Sequence, residues 1–314
     1  MLRLTLRRLL ALIPLLFIVT VVVWALLLLI PGDPARSLVG ETATPEQLAA
    51  VRQELGLDDP AHERYVRWLG GVVRGDLGTS LFTSYRVSDA IFDRLPVTLS
   101  LVGASFLLSA LIGVASGVFA ATHKGRAIDR LLTVGTSVGV AVPNFWLGLV
   151  LVTFLAMKLD LFPAGGYASL FESPARWLHH IALPAITLAM AAAAEIARQM
   201  RASMIEVLQR DYVRTHRARG VPERAIVGRY AMKNALMPVV TVAGLQVARL
   251  FGLSTIVEQI FNMQGVGQLA VDSVFKRDVP VIQGVVLTIT LVVVLTNLVV
   301  DLTYGYLNPK VREA

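Results

Sequence analysis

Four stretches of this chain run for more than twenty residues without Asp, Glu, Lys, Arg or His: 9–30, 95–122, 131–157 and 279–300. A helix needs about 20 apolar residues to cross the ~30 Å hydrocarbon core of a bilayer, so runs of this length constrain the fold before any other feature does. Two weaker runs join them. Residues 181–194 are few, but Trp177 and Leu178 lengthen the run before Glu195 and Arg198 intervene, and 234–257 is broken only by Arg249. Six spans follow, and the expected fold class is an all-α polytopic membrane protein. A chain of 314 residues with 55% apolar content and a mean hydropathy of +0.65 agrees with that class and not with a soluble domain. Cysteine is absent, which excludes a disulfide framework, a thiolate metal site and a cysteine nucleophile.

The net charge of +7 raises the question of nucleic acid, and its distribution answers it. With the N-terminus inside, the inner segments are 1–8, 122–130, 195–233 and 306–314. They carry 17 of the 29 Lys and Arg, against 11 in the longer outer segments. Acids lean the other way, ten of them in residues 31–94 alone. The positive-inside rule then puts both termini in the cytoplasm, consistent with an even number of spans. The basic charge is a topology signature with lipid as its partner, and nucleic acid is set aside. Arg3, Arg7 and Arg8 precede the first span as in a secretory signal, but its 22 apolar residues exceed an h-region of about 7–15. It ends at Pro31-Gly32-Asp33-Pro34 with no small-x-small cleavage site, so it reads as a retained anchor. The organisation expected is thus a first span within 1–30, an outer segment 31–94, a membrane domain 95–305 containing the inner loop 195–233, and a cytoplasmic tail 306–314.

The outer segment carries helix signals. Thr44-Pro45-Glu46-Gln47 has an N-cap, a first-turn proline and a Gln placed for a capping box, with Leu48, Ala49, Val51 and Leu55 behind it and Gly56 to stop it. Asp59-Pro60 starts a second helix bearing Tyr65, Val66, Trp68 and Leu69, and Gly75 ends it. Such a segment either caps the membrane domain or docks a partner outside.

Gly113 with Gly117, and Gly135 with Gly139, are small-xxx-small pairs that let helix backbones approach closely inside a membrane. Gly135-Thr136-Ser137-Val138-Gly139 also matches the G-x-S-x-G of serine hydrolases, which requires a strand-to-helix elbow and a His partner. It lies within an apolar span, and no His falls in any of the four clear runs, so it is read as helix packing. His179-His180 are adjacent and do not share a helix face, so no metal site is expected there. No G-x-x-x-x-G-K-[ST] occurs, so the chain has no P-loop; no cofactor is expected in it.

The most informative segment is the inner loop 195–233. Glu195 to Gln209 continues the fourth span as a charged helix. Asp211-Tyr212-Val213-Arg214-Thr215-His216-Arg217-Ala218-Arg219-Gly220-Val221-Pro222 then reads as a short basic helix. Asp211 caps its start, Gly220 ends it, and Pro222 prevents its continuation. Arg214, Arg217 and Arg219 make its surface positive. It either rests on anionic headgroups or presses into a cytoplasmic partner.

The chain resembles the B-type permease subunit of dipeptide and oligopeptide ABC importers, almost end to end. The similarity begins at Ile30-Pro31-Gly32-Asp33-Pro34-Ala35 and continues through Leu55-Gly56-Leu57-Asp58, Gly75-Asp76-Leu77-Gly78-Thr79-Ser80 and Arg94-Leu95-Pro96-Val97-Thr98-Leu99. It includes Asp211-Tyr212-Val213-Arg214-Thr215 with Ala218-Arg219-Gly220, and then Lys233-Asn234-Ala235-Leu236-Met237-Pro238. It closes with Val257-Glu258, Gly265-Val266-Gly267, Asn297-Leu298-Val299-Val300-Asp301 and Asn308-Pro309-Lys310-Val311-Arg312. There are departures. Where the loop of such permeases is named for Glu-Ala-Ala, this chain has Arg214-Thr215-His216, with His216 in place of a small residue. Gln264 precedes Gly265, and Arg86 precedes Val87, where proline is usual.

The resemblance implies a type I ABC importer transmembrane fold, with a second homologous permease, two cytoplasmic ATPase subunits that bind ATP and Mg, and an extracytoplasmic solute-binding protein. It implies that 211–222 is the coupling helix, with Asp211, Tyr212, Arg214, Thr215, His216, Arg217, Ala218, Gly220 and Pro222 meeting the ATPase. Arg249, Glu258 and Asn297 are the candidates for the translocation pathway; Arg249 has no evident partner in the sequence, and a mid-membrane arginine costs at least about 2.5–3.5 kcal/mol unless it faces water or a partner. Peptides, glutathione and chelated nickel are the solutes of such importers. Two rivals come from other classes. An ion-coupled secondary transporter would place carboxylates at mid-membrane, whereas Glu258 and Asp301 lie near span ends. An intramembrane enzyme would need a nucleophile–base pair that the spans do not offer.

Overall fold

Proline and glycine punctuate a chain whose remaining residues mostly favour helix. The structure, a computed structural model, describes the backbone of residues 2–29, 33–40 and 43–307, and their side chains apart from 2–9, 11, 12, 26–29, 37 and 301–307. The motif at Ile30-Pro31-Gly32, the side chain of Asp301 and the tail Asn308–Arg312 lie outside it. In chain order the helices are α1 (Leu2–Leu29), α2 (Pro34–Val39), α3 (Pro45–Glu54), α4 (Ala61–Val73), α5 (Val87–Thr122), α6 (Ala127–Ala141), α7 (Asn144–Leu151), α8 (Pro174–Leu208), α9 (Asp211–Ala218), α10 (Glu223–Ala225), α11 (Met232–Ile260), α12 (Val266–Lys276) and α13 (Val279–Leu307). π-helical turns follow α7 at Val152–Lys158 and precede α11 at Ile226–Ala231. Among the described residues the only β pairing is an isolated bridge between Thr79 and Arg86.

Four helical segments are long and apolar enough to cross a membrane: Val87–Thr122, Pro174–Leu208, Glu223–Ile260 and Val279–Val300. The run 131–157, expected as one span, is instead two helices, Ala127–Ala141 and Asn144–Lys158, bent by 99° at their junction. Pro143 is the cause. It has no N–H to continue the ladder and disfavours helical geometry at the residue before it, so Val142 is extended at φ −76°, ψ 122°. Counted as one broken span, the pair makes five. The expected first span lies in α1, where the apolar helix is Ile13–Ala25.

Internal contacts divide the chain into two compact units, one of 7–96 and 264–294, the other chiefly of 97–263 with 295–314. The second unit is built around α8. Two-thirds of its apolar window is buried (67%), against 39% or less in the other candidate spans, which makes it the central helix. Ile196, Met200, Met204 and Val207 of α8 form a core with Ala121, Ala231, Ala235 and Val239. Lipid tails are as apolar as these side chains, so close packing holds such helices together more than water exclusion does. The small residues show it. A Cβ on Gly113 would lie 2.7 Å from Ile196 Cβ, and one on Gly117 would lie 2.6 Å from the Ala197 carbonyl oxygen. Gly139 likewise faces Ala194, but Gly135 meets nothing within 4 Å, so only one half of that pair is used for packing.

In the first unit the segment after α1 folds as its caps predict. Thr44 and Gln47 form a reciprocal capping box at α3. Gly56 and Gly75 have φ of +61° and +81°. Each closes its helix with paired bonds to the last turn, Leu57 N to Arg52 O and Asp76 N to Gly71 O at 2.9 Å. Trp24 stacks on Trp68, and Tyr65 packs edge-on to Trp24 and hydrogen-bonds Thr20. A separate core joins Val87 and Ile91 with Val266, Leu269, Val281 and Val285. Beside it the buried Asp278 carboxylate accepts from Ser80 Oγ and the Leu81 amide, tying the loop before α5 to the turn before α13.

Candidate functional site

The loop between α8 and α11 is a jointed arm whose geometry follows from a few side chains. α9 has eight residues, too few to be stable alone, so its order depends on its ends and its one attached face. Its N-cap is Arg210, not Asp211: Arg210 is extended, Asp211 occupies the first helical position, and no side chain caps the start. The aspartate still favours the helix by its charge near the N-terminal dipole and pairs loosely with Arg214 at 3.5 Å. The C-terminal end is stronger. Gly220 is left-handed at φ +74°, the Gly220 amide donates to Arg217 O at 2.9 Å, and the Val221 amide donates to His216 O at 3.2 Å. This is a Schellman closure, and it needs a residue that accepts positive φ.

One face of α9 is attached. Val213 is fully buried. His216, three residues on, stacks on Tyr230 with ring centroids 4.0 Å apart, so the residue that departs from the family pattern has a packing role at the root of α11. Tyr212 accepts a hydrogen bond from Asn234 Nδ2 at 3.0 Å. Arg217 grips Glu223 with two nitrogens, at 3.1 and 2.6 Å. That hydrogen bond raises the Arg217 pKa above its ordinary value. The positive surface expected from three arginines is therefore reduced, since Arg217 is neutralised within the loop. Arg214, Thr215, Ala218 and Arg219 are exposed, as are Asp211 and Gly220. Pro222 then caps the one-turn α10, its carbonyl accepting from Ala225 and Ile226.

The pathway candidates sit on separate elements. Arg249 of α11, for which the sequence offers no evident partner, reaches both carboxylate oxygens of Glu195 on α8, at 3.1 and 3.0 Å. Gln246, one turn before Arg249, donates to the same carboxylate. The pair lowers the cost of either charge in an apolar helix, and Arg249 still leaves 60% of its side chain exposed. Glu258, also on α11, is fully buried and accepts from Thr98 Oγ1 of α5 at 2.7 Å. Asn297 is half-buried on α13. Glu195 is missing from the sequence candidates because it follows an apolar run and reads as the first residue of the inner loop. The signal for it was on α11, where Gln246 and Arg249 share one face at i, i+3 spacing. Asp129 was missed too; it takes a two-nitrogen clasp from Arg201 of α8, at 2.6 and 2.9 Å. The G-x-S-x-G serine, Ser137, donates to Thr133 O within α6, so the elbow that catalysis needs is a helix here. His179 bonds the Leu161 carbonyl.

Several apolar, closely packed helices, charged pairs between spans and an exposed jointed helix between two of them define a multi-pass membrane permease. The chain belongs to the family described as "Binding-protein-dependent transport system inner membrane component", whose model matches residues 113–313, with the corresponding "membrane comp, N-term" model on residues 1–102. It is 40% identical over 307 residues to "Probable peptide ABC transporter permease protein y4tP" of Sinorhizobium fredii, covering 98% of each chain. It is 42% identical over 313 residues to "Glutathione transport system permease protein GsiC" of Escherichia coli K12, covering 99% of each. Its fold is similar to that of a chain in an inward-facing MetNI methionine ABC transporter, with TM-score 0.56 and 19% identity over 68% of this chain and 93% of that one. This chain is thus a membrane subunit of an ABC importer, and the ion-coupled reading finds no support.

Proposed function

We propose that this permease moves short peptides or closely similar solutes into the cell, powered by ATP that other subunits hydrolyse. The observation that carries the solute class is the match, over almost the whole of both chains, to relatives named for peptide and glutathione transport. In this reading the chain crosses the inner membrane six times, with α1 and the bent α6–α7 pair each counted once and both termini in the cytoplasm. Residues 31–94 form a helical segment outside, before the membrane domain 95–305. A second, homologous permease completes the pathway, two ATPase subunits bind ATP and Mg, and a solute-binding protein delivers cargo from outside.

α9 is the coupling helix. Its exposed face, with Asp211, Arg214, Thr215 and Ala218, meets the ATPase. Its attached face, with Tyr212, Val213 and His216, conveys the push. Because His216 stacks on Tyr230 and Arg217 holds Glu223, displacement of α9 is delivered to α11 and α8 as rigid elements. Those are the two helices that the Glu195–Arg249 pair joins. Arg249, Glu258 and Asn297 are placed along the pathway or against the second permease. The test is reconstitution of the complex in liposomes. Peptide uptake that needs ATP and all subunits supports the reading; ATP-independent accumulation by this chain alone refutes it.

A further inference from the structure

α5, α6 and α8 leave a cleft of about 240 Å³ between them. That is below the ~300–1,000 Å³ of sites that enclose a small molecule, so it takes one part of a larger ligand. Its floor is apolar. Gly117, Ala120, Leu132 and Ala197 bring no polar side chain to it. The three hydroxyls in the lining donate into their own helices, Ser116 to Ile112 O, Thr133 to Asp129 O and Thr136 to Thr133 O. The side-chain donors left for a ligand are arginines. Arg198 is exposed and makes no ion pair or side-chain hydrogen bond among the described residues. Arg201 clasps Asp129 through Nε and Nη2, at 2.6 and 2.9 Å, which leaves Nη1 outside the clasp.

The surroundings narrow the ligand. Gly117 lies against Ala197, and α5 ends at Thr122, five residues on. At 1.5 Å per residue the cleft is therefore within about 8 Å of the end of α5. The turn that follows carries Lys124 and Arg126, and Arg130 lies in the first turn of α6, all three exposed. Asp129 pins this turn to α8, because it accepts from the Gly125 amide at 2.9 Å as well as from Arg201. Asp129 is buried and its charge is met by Arg201. Lys124, Arg126, Arg130 and Arg198 thus gather at one end of these helices, and none has a carboxylate partner among the described residues. On α5 the side chains one turn to either side of Ser116, Ile112 and Phe119, are exposed and apolar. An apolar cleft that runs onto an exposed apolar helix face, beneath a cationic rim, matches an acyl chain below a phosphate. A free phosphate would meet the cations and leave the floor empty. A helix of a second permease would cover the floor and leave the cations unmet.

We infer that this cleft seats one anionic phospholipid of the inner leaflet, an acyl chain over Gly117, Ala120 and Leu132 and the phosphate on Arg198 and Arg201 Nη1. The leaflet rests on the cytoplasmic placement of this end proposed above. The test uses the assembled transporter in phosphatidylcholine nanodiscs containing phosphatidylglycerol with a photoreactive acyl chain, the adducts being mapped by peptide mass spectrometry. Adducts on residues 112–120 and 131–136 are expected, displaced by unlabelled phosphatidylglycerol and not by as much phosphatidylcholine. Arg198→Gln should reduce labelling about fivefold, the effect of one cation near a membrane surface, whereas Arg198→Lys should keep most of it. Leu132→Trp, which fills the cleft and removes no charge, should abolish labelling in assembled complex. Absence of adducts overturns the inference, as does equal labelling by a phosphatidylcholine probe or labelling indifferent to Arg198→Gln. Displacement by soluble glycerophosphoglycerol would assign the cations to a free phosphate and overturn the lipid. The chain has no native cysteine, so a disulfide from Ser116→Cys to the second permease would assign the cleft to the subunit interface and overturn it too. The orientation is judged separately with Lys124→Cys and a membrane-impermeant maleimide. Labelling only in inside-out vesicles supports the cytoplasmic placement; labelling in right-side-out vesicles overturns the orientation and the leaflet, whatever the adducts show.

Discussion

Gly220 is where a single atom should separate folding from coupling. Its φ is +74°, and a Cβ built there meets nothing within 4 Å, so a side chain costs nothing in space and everything in backbone conformation. Left-handed geometry costs an L-residue about 1–2 kcal/mol, more when the side chain is β-branched and least for Asn. The penalty falls on an eight-residue helix whose C-terminal closure consists of the Gly220 and Val221 amide bonds to Arg217 and His216. At 1.4 kcal/mol per factor of ten, Gly220→Val shifts the closed-to-open ratio of that end by about tenfold or more, and Gly220→Asn by less. The closure is exposed and remote from the α8 core, so insertion and assembly should be unchanged. Solute-stimulated ATP hydrolysis and transport should fall together, in the order Gly, Asn, Ala, Val. The assay is ATPase stimulation in the reconstituted complex, with crosslinking to the ATPase subunit from the exposed position 214. Full stimulation in Gly220→Val with no crosslink from 214 would return the helix to a lipid-surface role and refute the reasoning.

Other consequences can be checked alongside it. Arg249→Leu should reduce transport while the complex still assembles, and a double-mutant cycle with Glu195→Gln should show non-additive loss; transport and assembly both at wild-type levels would remove Arg249 from the pathway. Gly117→Val brings its Cβ to 2.6 Å from the Ala197 carbonyl oxygen and 2.7 Å from Met200 Cβ, so the α5–α8 contact should lose roughly 1–3 kcal/mol, read as a lower thermal midpoint in detergent, whereas Gly135→Val should be nearly neutral. His216→Ala removes the stack on Tyr230 and should weaken coupling while leaving uncoupled ATP hydrolysis intact; His216→Phe should restore it. Arg217→Ala and Glu223→Ala should have similar, small effects on stability, at most about 1 kcal/mol, because the pair is exposed, and a large drop in thermal midpoint for either would contradict its placement.

What the sequence determined by itself were the features that depend on neighbouring residues. Uncharged runs announced membrane helices, because their length is set by the bilayer and not by the rest of the fold. Thr44-Pro45-Glu46-Gln47 and glycines 56, 75 and 220 marked helix ends, because capping and positive φ are settled within about one turn. The jointed basic segment 211–222 was legible for the same reason. Local rules also misjudged close alternatives: Asp211 against Arg210 as cap, and Pro143, whose bend of 99° the hydropathy of 131–157 conceals. Only the tertiary structure decided the pairings across long separations. Glu195 meets Arg249, Thr98 meets Glu258, Asp129 meets Arg201 and Ser80 meets Asp278 at spacings of 54, 160, 72 and 198 residues. A charge or a glycine in one helix says that it needs a partner or a close approach, but which residue supplies it depends on how the helices pack. That is a property of surfaces meeting in three dimensions, with no period along the chain to betray it.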